Sequence, residues 1–203
     1  MPKIVPIVEG PGDIEAVPEL IRRILYDIYH AYDWQIAHPL KTNNLTTFRQ
    51  RVNDFMMYAR GIPDCGAVLV LLDLDDGCPK DEALSLAQEI RNGYYFSHPV
   101  GVVLAHCEYE AWFLASLDTI AGNCDLPKDL SYSEPAENRR GVKEWLTEQM
   151  PPGIAYRETY HQVRMTQFID LSLAQSRSRS FQRLCHAISQ LIYTDTTSGL
   201  VTP

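Results

Sequence analysis

Carboxylates follow three of the apolar segments that the sequence predicts to be β-strands. Glu9 follows the first strand, Asp73 and Asp75 follow the third, and Glu108 and Glu110 follow the fourth. Ligands of an open parallel sheet bind outside the carboxyl ends of its strands, so we expect these acids at one edge. Because like charges repel and raise one another's pKa, such a group requires a positive partner. Oxygen ligands favour hard cations, and the pattern therefore predicts a Mg²⁺ or Mn²⁺ site.

The simpler explanation for any one of these acids is that it caps the helix that follows its strand. Capping suits Asp76, and Asp13 is better placed than Glu9 to cap the first helix. Capping explains Asp73 and Asp75 less well, because an ion at the end of a buried apolar run is costly without a partner. The metal site is therefore the preferred interpretation of the strand-end acids.

Alternating strand and helix patterns position these acids. Apolar runs at Lys3–Val8, Ala67–Leu72 and Val100–Ala105 are typical of strands in a parallel sheet, and a weaker candidate lies at Trp34–Leu40. Apolar residues recur at three- and four-residue steps between these runs, which indicates amphipathic helices. Residues 1–116 are therefore predicted to form an α/β domain, with a mostly parallel four-stranded sheet and helices on both faces.

The alternation ends after Ser116, and residues 117–203 are predicted to be a loop-rich helical extension packed on the first domain. Short and long helices are expected near Val142–Gln149 and Ser180–Ile192. Arg177 and Arg179 lie beside the start of the long helix, where they are candidate phosphate ligands. A solvated polar face is the alternative interpretation of these arginines, and it is the more common arrangement.

Composition restricts the class of protein. The chain has 203 residues, of which 45% are apolar, enough for one compact domain with a small appendage. Five scattered cysteines without a Cys-x-x-Cys pair argue against a disulfide framework or zinc ribbon and favour a cytoplasmic location. No apolar run reaches the roughly 18 to 20 residues of a membrane helix, so we expect no membrane partner. The net charge of −8 is the wrong sign for unaided nucleic-acid binding.

Two short motifs carry a resemblance to a known fold. The segment Val8–Asp13 contains Glu-Gly-Pro-Gly-Asp, which resembles the Glu-Gly-x-x-Asp motif that opens Toprim domains. The segment Leu72–Asp75 resembles their second motif, an apolar strand that ends in Asp-x-Asp. Toprim domains occur in topoisomerases, bacterial primases and nucleases related to the overcoming-lysogenization-defect enzymes. Around Glu108–Leu114 and Ser178–Phe181 the chain is also similar to an uncharacterised bacterial family of small Toprim-like proteins, often encoded beside ABC-type ATPases.

The resemblance implies a Toprim-like, Rossmann-like fold and roles for individual residues. Asp73 and Asp75 would ligate Mg²⁺ or Mn²⁺, and Glu9 would bind metal or act as general acid/base at the scissile phosphate. Glu110, with Glu108 in a lesser role, would hold a second ion. The resemblance thus implies a metal-dependent nuclease, acting on nucleic acid as the effector of an ATPase-linked phage-defence system. We expect neither topoisomerase nor primase activity, because this sequence leaves no room for a topoisomerase gate and shows no separate zinc-binding or helicase-binding region.

Two other classes of function stay open. A haloacid-dehalogenase-like phosphatase also carries Asp-x-Asp after a strand, although that motif usually lies near the first strand rather than at Asp73. A non-catalytic binding subunit with a residual metal site would suit the acidic net charge. The choice between DNA and RNA is open as well, and the apolar C-terminal helix could serve a homodimer.

Overall fold

The chain folds around a parallel β-sheet that has helices on both faces. The computed structural model describes residues 1–93, 98–199 and 201–202. Within these residues the sheet has six strands: β1 Lys3–Val8, β2 Gln35–Ile36, β3 Leu40–Lys41, β4 Cys65–Leu74, β5 Val100–His106 and β6 Val201–Thr202. The strand order is β2-β1-β4-β5-β6, β3 also pairs with β1, and every pairing is parallel. The fold class is therefore α/β, as predicted.

The prediction of four strands was wrong. The candidate at Trp34–Leu40 is two separate strands, β2 and β3, which pair with opposite ends of β1. The strand β6 was not predicted at all, and it pairs with the start of β5. These three strands have only two residues each, which is too short to show the alternating apolar pattern on which a sequence prediction depends.

Helices fill the connections between the strands. Their bounds are α1 Asp13–Arg23, α2 Leu45–Gln50, α3 Val52–Gly61, α4 Pro79–Gly93, α5 Ala111–Ala115, α6 Leu117–Ile120, α7 Val142–Gln149, α8 Val163–Thr166, α9 Leu171–Arg177 and α10 Arg179–Tyr193. One π-helical turn, Ile24–Ile28, continues α1, and a second, Glu158–Gln162, precedes α8. Ala136–Asn138 forms a 3₁₀ turn. Among the described residues, no helix is both long enough and apolar enough to span a membrane.

Two hydrophobic cores lie on opposite faces of the sheet. Alternate residues of a strand point to opposite faces, so Leu69 and Leu71 of β4 enter one core while Val68 and Val70 enter the other. The first core is closed by α1, α5 and α10, and the second by α2, α3 and α4. Burial on both faces explains why β4 and β5 are unbroken apolar runs in the sequence.

The strand order places a topological switch point between β1 and β4. From β1 the chain passes through α1 to β2 and β3 on one side of β1, then returns through α2 and α3 to β4 on the other side. A crevice opens outside the carboxyl ends of the strands where the order reverses in this way. Glu9 directly follows β1 and Asp73 lies near the end of β4, so the fold brings both to this crevice.

The C-terminal extension shares the core of the first domain. Ala187 and Leu191 of α10 pack so closely on Gly101 of β5 that a Cβ at Gly101 would lie 3.3 Å from a Leu191 methyl group. Ala115 and Leu117, on either side of the predicted boundary, belong to one continuous hydrophobic cluster. The extension is therefore part of the structure that holds the sheet in place.

Candidate active site

A small polar cavity of about 190 Å³ occupies the switch point, and we call it the carboxylate pocket. Its charged lining consists of five acids and two lysines: Glu9, Asp13, Asp73, Glu110, Glu158, Lys41 and Lys143. The acids come from the β1–α1 loop, the first residue of α1, β4, the residue before α5 and the π-helical turn. Segments that are far apart in the sequence thus place their acidic side chains in one pocket.

Three of the five predicted metal ligands line this pocket. Glu9, Asp73 and Glu110 face the cavity. Asp75 is exposed and lies outside the lining, although its charge helps to raise the pKa of Glu9. Glu108 also lies outside the lining. The structure therefore brings together one acid from each of the three predicted strand ends.

Glu9 has a pKa of about 7, raised from its ordinary value. Partial burial is the main cause, and a hydrogen bond from the Asp73 backbone opposes it. The negative charges of Asp13 and Asp75 raise the pKa of Glu9 further. A carboxyl group in this state exchanges its proton near neutral pH, which is the property that general acid/base catalysis needs.

Asp73 is held in place by the backbone of the next strand's loop. The Tyr109 backbone N–H donates a hydrogen bond of 2.9 Å to Asp73 Oδ1. Desolvation raises the pKa of Asp73 well above its usual value, and the charges of Glu110, Asp13 and Glu9 raise it further. The carboxylate is therefore oriented and only partly compensated by the Lys143 charge, so a further cation would stabilise its charged form.

Glu110 has one oxygen without a hydrogen bond. The residue is 1% exposed. The Tyr156 hydroxyl donates a hydrogen bond of 2.8 Å to Glu110 Oε1, while the buried Oε2 has no hydrogen-bond partner among the described residues. Burial raises the pKa of Glu110 to about 8, and the Lys143 charge opposes this. Buried polar atoms are almost always paired, so the free oxygen indicates a ligand that would complete the site.

Lys143 supplies a positive charge inside the pocket. Its Nζ donates a hydrogen bond of 2.6 Å to Glu158 Oε1 and lies 3.8 Å from Glu110 Oε2 and 3.9 Å from Glu108 Oε2. Burial lowers the pKa of Lys143, but Glu110, Glu158 and Asp73 outweigh this and raise it above the usual value. Among the described residues, no group of three or more His, Cys, Asp or Glu side chains is arranged so that it could hold a metal ion.

The donor atoms of the pocket nevertheless suit a hard divalent cation. All of the candidate ligands are carboxylate oxygens, which is the donor type that Mg²⁺ and Mn²⁺ prefer. Desolvation is the main cause of the raised pKa of Glu9, Asp73 and Glu110, and the buried Oε2 of Glu110 accepts no hydrogen bond from a described residue. The donor type and the desolvated carboxyl groups therefore fit the chemistry of a hard cation.

A comparison with known families identifies the chain. The model of a family described as a domain of unknown function, DUF4276, matches residues 8–189. The chain belongs to this DUF4276 family. No curated protein and no solved structure matches it. The DUF4276 match includes every residue that lines the carboxylate pocket and ends before β6.

The role predicted for Asp13 in this DUF4276 chain was wrong. Gly12 is the N-cap of α1, and no side chain caps this helix. Asp13 instead accepts hydrogen bonds from the Gly10 backbone N–H at 2.8 Å and from Gln162 Nε2 at 2.7 Å. Because Gln162 lies 149 residues away, no local pattern indicates this contact. Asp13 thereby ties the loop that carries Glu9 to the π-helical turn.

The π-helical turn Glu158–Gln162 supplies pocket residues that sequence reasoning missed. It carries Glu158, which pairs with Lys143, and Gln162, which contacts Asp13. The buried His161 Nδ1 accepts a hydrogen bond of 2.8 Å from the Arg157 backbone N–H and braces the turn. Such π turns occur often at functional sites, but they lack the regular apolar spacing that reveals an α-helix.

The Glu108 side chain accepts a hydrogen bond at the start of α7 rather than facing the pocket. The Val142 backbone N–H donates a hydrogen bond of 2.6 Å to Glu108 Oε1 at the first residue of α7. The N-cap residue of α7, Gly141, has a φ of 66° and no side chain that could bond this group. Glu108 therefore caps α7, the helix that presents Lys143 to the pocket.

The two arginines predicted to bind phosphate, Arg177 and Arg179, contact different acidic residues. The Arg177 guanidinium forms an ion pair with Asp118 and donates a hydrogen bond to the Ala115 carbonyl oxygen. The Arg179 backbone N–H donates to Glu137 Oε2 at 3.1 Å, so a carboxylate already occupies the start of α10. Neither arginine lines the carboxylate pocket.

Proposed function

We propose that this DUF4276 protein is a divalent-metal-dependent phosphodiesterase that acts on nucleic acid, with the carboxylate pocket as its active site. The observation that carries the proposal is the buried, unbonded Oε2 of Glu110 in a pocket that also contains Glu9 and Asp73. An acid with a free buried oxygen, at the switch point of a parallel sheet, is suited to an added cation.

Glu9, Asp73 and Glu110 would hold Mg²⁺ or Mn²⁺. Such an ion, when bound, polarises a phosphate oxygen and lowers the pKa of a bound water molecule. Asp75, exposed beside Glu9, would support the site from its solvent side. Glu108 would act indirectly, because its Oε1 accepts the Val142 N–H.

The chain's own residues would provide the remaining chemistry. With a pKa of about 7, Glu9 can accept a proton and return it at neutral pH. Lys143 and Lys41 line the same pocket and would bind the phosphate oxygens. The raised pKa of Lys143 keeps its ammonium group charged throughout. Together these groups suit hydrolysis of a phosphodiester.

The negative net charge of the chain affects how it could bind nucleic acid. With a net charge of −8, the chain alone repels a polyanion at low salt. The resemblance to the small Toprim-like bacterial family, at Glu108–Leu114 and Ser178–Phe181, suggests a partner of the ABC-type ATPase class. Such a partner would bind the nucleic acid in a phage-defence system. We therefore expect the strongest activity in the presence of both the metal and such a partner.

A cleavage assay with full-length protein tests the proposal. Mn²⁺ would be added with single- and double-stranded DNA, RNA and the small diester bis(p-nitrophenyl) phosphate. We expect diester cleavage that requires Mn²⁺ and falls at least about 100-fold in Asp73→Asn and Glu110→Gln. Asp76→Asn is the matched control, because exposed Asp76 pairs with Arg140 outside the pocket and should retain activity.

Other outcomes would assign the pocket differently. Hydrolysis of p-nitrophenyl phosphate but not of the diester would indicate the phosphatase alternative. Binding of Mn²⁺ that is lost in Asp73→Asn, without cleavage in the presence or absence of an ATPase partner, would indicate a non-catalytic binding subunit. Equal Mn²⁺ binding by the wild type and Asp73→Asn would exclude the carboxylate pocket as a metal site.

A further inference from the structure

A second and larger cavity lies farther along the same edge of the sheet, at the end of β5. We call it the β5 cavity; its volume is about 740 Å³. Leu104 of β5 and Ala83 and Leu84 of α4 form an apolar wall, and the first turns of α4 and α10 border it. It shares no lining residue with the carboxylate pocket. A volume of this order suits a small organic ligand.

Arg183 of α10 lines this cavity as a half-buried cation without an acidic partner. Its Nη2 donates hydrogen bonds of 3.1 Å to the Thr202 hydroxyl and 3.4 Å to Gln190 Oε1, both of which are neutral. Within the described part of the chain, no carboxylate forms an ion pair with it. Burial lowers its pKa, and no acid opposes this. Since charges that leave water are normally paired, Arg183 indicates an anionic ligand.

The rest of the lining adds positive charge. Arg179 and Lys80 also border the cavity, and neither side chain forms an ion pair with a described residue. Glu137 is the acid in the lining, but the start of α10 already occupies it: it accepts hydrogen bonds of 2.8 Å from both the Ser180 N–H and the Ser178 hydroxyl. Three cations therefore face one fully bonded carboxylate, a surplus of two positive charges.

We propose that the β5 cavity binds a phosphomonoester with a ring-bearing organic body, the chemistry of a nucleoside 5′-phosphate. The dianionic phosphate would pair with Arg183 and Arg179, which matches the surplus charge better than a singly charged carboxylate does. The ring would lie against Leu104 and Leu84, so the ligand would use the apolar wall as well as the cations of the lining. The proposal does not depend on the activity of the carboxylate pocket.

Calorimetric titration of the full chain with AMP at low salt tests this site, with adenosine and inorganic phosphate as separate probes. We expect AMP to bind at least about tenfold more tightly than either fragment, because only AMP uses both halves of the cavity. Arg183→Gln should weaken AMP binding about tenfold or more, and Arg179→Gln should weaken it several-fold. Arg177→Gln is the matched control and should not change it, because Arg177 pairs with Asp118 outside the cavity.

Three results would overturn the proposal. The first is no binding of AMP, and the second is unchanged binding in both Arg183→Gln and Arg179→Gln. The third is equal affinity for inorganic phosphate and AMP, which would remove the role of the apolar wall. Arg179 is exposed, so Arg179→Gln keeps the test decisive if Arg183→Gln fails to fold. Asp73→Asn should retain AMP binding, and its loss there would place AMP in the carboxylate pocket instead.

Discussion

Lys143 Nζ lies 3.8 Å from Glu110 Oε2, yet that oxygen accepts no hydrogen bond from any described residue. The ammonium group is drawn instead to Glu158, with which it forms a hydrogen bond of 2.6 Å. Lys143 is thus close enough to offset the charge of Glu110, but it does not donate a hydrogen bond to Glu110 Oε2. A cation that contacted Glu110 directly would complete what the lysine provides in part.

Replacing Lys143 with methionine should destabilise the protein and make divalent cations more stabilising. The change leaves Glu110 and Glu158 without their shared positive charge, and we expect a loss of about 2–3 kcal/mol in the free energy of unfolding. Because Lys143 is 33% exposed, this lies below the cost of breaking a fully buried pair. Urea unfolding with and without Mn²⁺ measures both effects, and Mn²⁺ should recover part of the loss.

Lys3→Met is the control for this substitution. Lys3 forms an ion pair of 3.8 Å with Asp64, which is largely exposed, so its removal should cost less than about 1 kcal/mol. Equal losses in the Lys143 and Lys3 variants would contradict the view that Lys143 compensates a buried acid.

Tyr156→Phe tests whether Glu110 depends on its single hydrogen bond. The change removes the donor to Glu110 Oε1 and leaves both carboxylate oxygens unbonded, so we expect a loss of about 1–3 kcal/mol in stability. Thermal unfolding checks this. Tyr160→Phe is the control, because Tyr160 is exposed and its hydroxyl forms no hydrogen bond within the described chain. A Tyr156 variant as stable as the Tyr160 variant would mean that the Glu110 contact contributes nothing.

The sheet was predictable where the strands are long and buried. The runs at Ala67–Leu72 and Val100–Ala105 correspond to β4 and β5, because burial on both faces leaves an unbroken apolar signature. The helix predicted near Val142–Gln149 agrees with α7. The two-residue strands were not predictable in number, because pairing with a neighbour, rather than a pattern of their own, makes them strands.

The candidate site was predictable only where its residues follow strands. Glu9, Asp73 and Glu110 could be placed together from the rule that parallel strands end at one edge. Lys143, Glu158 and the Asp13–Gln162 contact could not, since they come from segments whose mutual positions depend on tertiary packing. These segments contribute three of the seven charged side chains that line the pocket, namely Asp13, Glu158 and Lys143.

Gly12→Ala should disrupt the carboxylate pocket by displacing the π-helical turn Glu158–Gln162. A Cβ at Gly12 would overlap Gln162 Oε1 and lie 2.9 Å from the Glu158 carbonyl carbon. Relief of this overlap requires the π-helical turn to move, so we expect a loss of about 2–3 kcal/mol in stability. Urea unfolding measures the loss, and any cleavage activity of the pocket should fall with it.

Gly61→Ala is the matched control for Gly12→Ala. Gly61 is the last residue of α3, and a Cβ there would meet no atom within 4 Å. We expect an unchanged or slightly higher stability, because alanine restricts the unfolded chain more than glycine does. Similar losses in the two variants would show that the close approach at Gly12 has no specific role.

Glu137→Gln should remove a pH-dependent contribution to stability at the start of α10. Burial raises the pKa of Glu137, but hydrogen bonds from the Ser180, Ser178 and Arg179 groups outweigh it and hold the pKa below its ordinary value. A carboxyl group whose folded pKa is lowered contributes stability above its unfolded pKa of about 4.5, and this is lost as the pH falls through the folded value. The free energy of unfolding of the wild type should therefore exceed that of the variant by about 1–2 kcal/mol at pH 7, and the difference should shrink below pH ~4.

Urea unfolding at pH 7 and pH 3.5 measures this difference. Glu134→Gln is the control, because Glu134 is exposed and forms no hydrogen bond within the described chain. A difference between the wild type and Glu137→Gln that stays constant between the two pH values would mean that the charge of Glu137 does not stabilise the helix.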